Sequence, residues 1–202
     1  MTGKGNCVPT PMKLAAIVAA PLLLAGCLNL GGKVPKQLIR LTPAVTAPAG
    51  EMASATLHDA LVVLDPDADR RLDVQRVPVQ VDDATIAYLK NATWVERPSR
   101  QFRRLLAETI RARGKRLVIE QGDASEGGKS VLAGRLLDMG YDARTKSVVV
   151  RFDAMREDPA GNTASRRFEA TVPGVSPKVD SVAPALNKAA NDVAAQVADW
   201  VG

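Results

Sequence analysis

Aromatic side chains make up 3% of this 202-residue chain, histidine occurs once, and cysteine occurs twice. Each shortage closes off a class of chemistry. His58 has no second histidine and no free thiol to join it, so neither a zinc site nor a histidine-based triad has its parts. It reads as a surface loop residue. No Gly-x-Ser-x-Gly elbow is present. With so few aromatics, any lipid cavity would have to be aliphatic. Uninterrupted apolar runs are also short. The longest, residues 14–23, is broken by Pro21, whereas crossing a bilayer takes about 20 apolar residues.

What is present at the amino end is a pattern. Lys13 precedes the apolar run, and Leu24-Ala25-Gly26-Cys27 follows it. A basic end, a short apolar run and small residues make up a secretory signal. Here the small pair ends directly on a cysteine, which resembles the lipobox of bacterial lipoproteins. That resemblance implies a diacylglycerol on the Cys27 thiol, cleavage before Cys27 and acylation of the new amino end. Two or more acyl chains hold a protein stably on a membrane, whereas one does so marginally. The residue after Cys27 is Leu28 and not Asp. By resemblance to lipoproteins of the enteric type, this implies the outer membrane, at its periplasmic face, over the inner one. Met12-Lys13 is a more typical signal start than Met1.

Cleavage would remove Cys7 and occupy Cys27, so the mature chain has no thiol for a disulfide. It would also remove Lys4 and Lys13 and no acidic residue, lowering the net charge of +5 by two, to +3. That mild excess does not argue for nucleic acid.

Residues 29–36 read as a short tether. Strands are expected at 37–41, 61–64, 86–89 and 116–120, with extended structure at 72–81 and loop at 42–55. Pro98 and Gly114 bracket a helix. Its apolar face is Phe102, Leu105, Leu106 and Ile110, and its other side carries Arg97, Arg100, Arg104, Glu108 and Arg111. Strands at 130–141, 147–155 and 164–172, joined by turns at 143–146 and 158–162, form an antiparallel meander. A second amphipathic helix spans 180–201. Asp180 or Ser181 is its expected cap, and Pro184 is expected in its first turn. The fold class is α+β. One domain over 37–202 carries a mainly antiparallel sheet with two amphipathic helices packed on it. It follows a signal peptide at 1–26 and a lipidated tether at 27–36.

In combination, several stretches resemble the ABC-type transport auxiliary lipoproteins. They are the lipobox, Leu38-Ile39-Arg40-Leu41, and Trp94-Val95-Glu96-Arg97-Pro98 leading into Phe102 and Leu105-Leu106. Further along come Leu136-Leu137-Asp138-Met139-Gly140-Tyr141-Asp142, Val148-Val149-Val150-Arg151-Phe152-Asp153-Ala154, and a last helix ending in Trp200. Met139 departs from the family pattern, where an aromatic is usual, and is expected to alter packing alone. The resemblance implies a domain without enzymatic activity and without a cofactor beyond the lipid on Cys27. It implies as partner an MCE-domain periplasmic subunit of an ABC transporter that moves lipids or other hydrophobic molecules. Tethering and docking would be its mechanism. Ring-shaped homo-oligomers occur in that family, so a homo-oligomer is a further implied partner.

Other chemistry fails on spacing. Gly128-Lys129-Ser130 ends like a phosphate loop, but the required glycine falls on Asp123, and a strand follows where a helix is needed. Asp65, Asp67 and Asp69 alternate like a calcium loop, yet its sixth and twelfth positions are Arg70 and Arg76. Asp82-Asp83 reads as a strand-end turn. Glu96 is expected to favour a helix start, and Trp94 to pack on its first turn. The arginines around the first helix are a candidate surface for anionic head groups or an acidic partner, against a plain solvated face. A lipid carrier with an aliphatic cleft is the rival to docking. An envelope hydrolase is the third reading, disfavoured by its missing catalytic sets.

Overall fold

The computed structural model describes residues 1–3, 5, 37–50, 56, 59–114, 116–120 and 130–202. Cys27, the tether 27–36, His58, the loop 121–129 and, apart from 1–3 and 5, the signal 1–26 lie outside the described residues. Residues 35–202 cluster as one unit. Within it run β1 (Gln37–Ile39), β2 (Leu61–Val63), β3 (Asp67–Ala68), β4 (Arg76–Gln80), β5 (Ile86–Trp94), α1 (Pro98–Arg111), β6 (Val118–Glu120), β7 (Ser130–Asp142), β8 (Ser147–Glu157), β9 (Thr163–Val172) and α2 (Val179–Val201).

β7 is the spine. One of its edges pairs with β8 along most of its length, and β8 pairs with β9, giving the expected antiparallel meander. Its other edge takes β2, β3 and β4 in succession, all parallel to it. β2 also pairs with β6, and β1 with β5, in parallel, while β4 and β5 are antiparallel. The sheet is therefore mixed: its long pairings are antiparallel, as expected, and its short ones are parallel. Alternation of apolar residues reports which face of a strand is buried and carries no information on the direction of its neighbour.

Several boundaries shift for local reasons. The polar run 65–71 reads as a turn in the sequence, yet it contains the short strand β3. β5 runs nine residues to Trp94, so Trp94 belongs to a strand and not to the approach to a helix. Asn91, at φ 58°, kinks β5. Ala92 and Trp94 beyond it point into the core, at 4% and 0% exposure. α2 begins at Val179, with Lys178 at its cap and no side-chain cap bond, so neither Asp180 nor Ser181 caps it. Pro184 consequently sits inside the helix, beyond its first turn. There it removes one backbone donor.

β7 also carries a bulge at Leu137, between the pairs Leu136–Phe152 and Asp138–Arg151. An extra residue reverses the alternation. Leu132 and Leu136 face the core before it, and Met139 and Tyr141 do so after it, while Asp138 is turned to the other face. Both helices pack on the core face. Phe102 of α1 meets Phe152 of β8 edge-to-face at 5.2 Å, and Trp200 of α2 packs on Phe168 of β9 at 5.6 Å. Met139 is fully buried there. No described helix is long and apolar enough to cross a membrane.

Candidate functional site

α1 presents its arginines away from the core, as its periodicity predicts, but every one of them has an acidic neighbour. Arg97 pairs with Asp73, Arg100 with Glu96 and Asp65, Arg104 with Glu96, and Arg111 with Glu108 and Glu120. Arg103, buried at 8% exposure, bridges Asp65 at 2.6 Å and Glu120 at 3.0 Å. Burial works to raise the Glu96 carboxyl, but the Arg104 hydrogen bond and the charges of Arg104 and Arg100 outweigh it and hold the group below its ordinary value. This stripe is an internally neutralised network. Glu96 serves it as a shared counter-ion, and Trp94 is a core residue.

The second feature is a strap. After β1 the chain runs across both helices without regular structure, and helix side chains satisfy its backbone. Leu41 N–H donates to Gln101 Oε1 and Ala47 N–H to Glu108 Oε1, both on α1. Thr42 N–H donates to Asn187 Oδ1 and Ala44 N–H to Asn191 Oδ1, both at 2.7 Å on α2. Asn191 Nδ2 returns a bond to the Thr42 carbonyl. A hollow of about 490 Å³ between strap and α1 is edged by Arg40, Arg104, Glu108 and Glu120. None of the amides is evident as a binder in the sequence. The available signal is the spacing of Asn187 and Asn191, one helical turn apart beside an apolar face.

The third feature is the open face of the meander. Two rows cross it: Asp138, Arg151 and Glu169, then Arg135, Asp153 and Arg167. Signs alternate along each row and between rows, which is favourable for cross-strand pairs. Arg167 grips Asp153 with two bonds of 2.6 and 2.7 Å, Arg151 pairs with Glu169, and Arg135 pairs with Asp69 at 2.7 Å. Asp138 lies deepest. Burial pushes its carboxyl above the ordinary value, against the opposing charges of Arg71 and Arg151. Arg71 covers it at 3.5 Å and also donates to the Leu137 carbonyl at 2.6 Å. A hollow of about 350 Å³ beside it is edged by Arg71, Gln80, Asp142, Arg144 and Arg151.

The remaining sequence candidates disperse. Asp65 and Asp69 pair with different arginines. Asp82 closes its turn by accepting from the Ala84 and Thr85 N–H groups, and these bonds hold its carboxyl below the ordinary value. Ser130 opens a strand and accepts a bond from Arg116. Among the described residues, no three His, Cys, Asp or Glu side chains converge as a metal site would require. The largest hollow of those above and below, about 570 Å³, is lined by Asp73, Val74, Gln75, Glu96, Arg97 and Arg100. It is no place for an acyl chain.

Comparison with known proteins agrees with this architecture. A family model described as the ABC-type transport auxiliary lipoprotein component matches residues 41–198. The crystal structure of protein XCC0632 from Xanthomonas campestris has the same fold, with a TM-score of 0.67 at 19% identity, covering 82% of this chain and 94% of that one. A second crystal structure, described as an uncharacterized protein, gives 0.63 at 15% identity over 82% and 100%. A PelC dodecamer from Paraburkholderia phytofirmans gives 0.44 at 16% identity over 73% and 91%. No curated protein matches the chain.

Proposed function

The chain belongs to the ABC-type transport auxiliary lipoprotein family, and from that membership we propose that it is a lipid-anchored periplasmic subunit of an ABC/MCE-type transport system. In this reading Cys27 holds the protein on the periplasmic face of the outer membrane. The domain docks an MCE-domain partner, and the system moves lipids or other hydrophobic molecules between the membranes. The domain itself performs no chemistry.

The observation that carries docking over carriage is the filled space between helices and sheet. Trp94, Phe102, Phe152, Leu105 and Leu136 occupy it at no more than 1% exposure. The hollows described above are edged by charged groups. A carrier of acyl chains needs a continuous apolar cavity.

Crosslinking in native membranes followed by pull-down tests the reading, with Cys27→Ala in parallel. The expected result is an MCE-domain protein captured by the wild type and release of Cys27→Ala into the soluble periplasm. If the anchor behaves so but no MCE-domain protein is captured, the assignment to such a system fails and the anchor stands.

A further inference from the structure

β1 enters the sheet from a definite end. It runs parallel to β5 with Gln37 beside Ala92, so the chain arrives travelling in the direction of β5, from the side on which β5 begins after the turn 81–85. Gln37 Nε2 donates to Asp180 Oδ1 in the first turn of α2 at 2.9 Å, which places the opening of α2 at the same end. Two more turns are joined to it. Ala143 N–H bonds the Gln80 carbonyl and Arg144 pairs with Asp83. Val175 N–H bonds the Lys146 carbonyl, and the Tyr141 hydroxyl donates to the Val175 carbonyl. The turns 81–85 and 143–146 and the loop 173–178 thus make one connected surface.

That surface carries apolar groups among its charged ones. Val81 and Ile86 are exposed there, at 43% and 40%. A shallow hollow of about 430 Å³ at the loop 173–178 is lined by Val172, Val175, Pro184 and Ala185, with Lys188 at its rim. Lys146 and Lys178 stand on the same turns. Neither forms an ion pair among the described residues. Asp82 and Asp83 lie between Val81 and Ile86, and Asp83 pairs with Arg144. Exposed aliphatic residues with lysines on adjoining turns suit a bilayer interface, where the apolar groups enter the acyl boundary and the cations meet lipid phosphates. The opposite end of the sheet closes on Asp158-Pro159-Ala160-Gly161-Asn162.

Nine residues, 28–36, separate Cys27 from Gln37. Fully extended they reach no more than about 35 Å, so an anchored domain stays close to its leaflet. We propose that the end built by the turns 81–85 and 143–146 and the loop 173–178 rests on the leaflet that holds the Cys27 lipid, with Val81 and Ile86 in the interface. This rests on the anchor reading above.

The mature chain has no other thiol, so single labels are clean. Lipidated full-length Val81→Cys, Ile86→Cys and Asn162→Cys carry a fluorophore in vesicles of phosphatidylethanolamine and phosphatidylglycerol, with nitroxide-bearing lipids as quenchers. All three sites are exposed, so folding is not at stake. Protein that floats with the vesicles, with the labels at 81 and 86 quenched several-fold more than the label at 162, is the expected result. Flotation with equal quenching at all three sites, or none, overturns the orientation and leaves the anchor intact. Crosslinking between two chains through position 81 without quenching assigns this surface to a second copy and overturns it too. Failure to float despite processing at Cys27 removes the anchor reading, and the orientation with it.

Discussion

Asp138 and Asp153 stand on the same face of the sheet, in adjacent rows, and their surroundings drive them in opposite directions. Burial raises the Asp138 carboxyl despite Arg71 and Arg151, whereas the Arg167 hydrogen bond and charge hold Asp153 below its ordinary value despite partial burial. A raised carboxyl means that ionisation penalises the folded state, and the penalty is present above the folded pKa and absent below the ordinary value. As pH falls from 7 through the carboxylate range, the wild type should therefore gain stability relative to Asp138→Asn. For Asp153 the contribution is present above the ordinary value and lost as pH falls through the lowered one. Asp153→Asn should cost no more than about 1 kcal/mol at neutral pH, because the pair is half exposed, and nothing in acid. Urea denaturation of the three proteins across pH reads both slopes. A gap between wild type and Asp138→Asn that does not change with pH would refute the burial argument. The bulge at Leu137 is what turns Asp138 outward, and no local feature of Leu136-Leu137-Asp138-Met139 announces it. Simple alternation from Leu132 and Leu136 would place Asp138 in the core and Met139 outside.

At the scale of elements, the two helices and the three strands of the meander are legible because each has a strong period and clear punctuation, such as Pro98 before α1 and Gly114, at φ 65°, after it. β2, β3 and β6 are two or three residues long; β2 and β3 pair on the long edge of β7, and β6 pairs on β2. Such strands have too few residues to show a period. The strap is hidden for another reason. Its order comes from Gln101, Glu108, Asn187 and Asn191, distant in sequence, and nothing in residues 40–50 signals it. Asn187→Ala and Asn191→Ala should each cost roughly 0.5–1.5 kcal/mol, the usual worth of a hydrogen bond. The amides of Thr42 and Ala44 should then exchange hydrogen faster, while those of β7 stay protected. Equal protection of 42 and 44 in the variants would mean that the strap is held by packing alone. A sharper constraint sits inside β7. A Cβ at Gly134 would lie 2.5 Å from the Phe152 ring and 2.2 Å from the Asp153 carbonyl. The ring occupies the space that glycine leaves in the core face of the strand. Gly134→Ala must displace either the β8 backbone or the ring that anchors α1 through Phe102, and a cost of about 1–3 kcal/mol in thermal or urea unfolding is expected.

For the molecule as a whole, the choice between holding a lipid and holding a partner turns on where the apolar surface has gone. Both helices spend their apolar faces on the sheet, and the arginines of α1 are spent on neighbouring carboxylates. The open side of the meander is a balanced array of charges. Among the described residues, what stays apolar and exposed is scattered apart from Val81 and Ile86, which flank the turn 81–85. The sequence permits an aliphatic cleft as readily as a filled core, because composition counts apolar residues and says nothing about whether they meet. The structure shows that they do meet, down to Val182, Leu186, Val193 and Val197 of α2 at full burial. Protein extracted from its membranes in mild detergent should therefore carry no stoichiometric lipid beyond the acyl groups on Cys27. Native mass spectrometry of the intact chain, compared with Cys27→Ala, separates the covalent lipid from any held in a cavity. A lipid retained at one per chain in Cys27→Ala would require the helices to part from the sheet, breaking the Phe102–Phe152 contact. Docking by an otherwise rigid domain would then no longer be tenable.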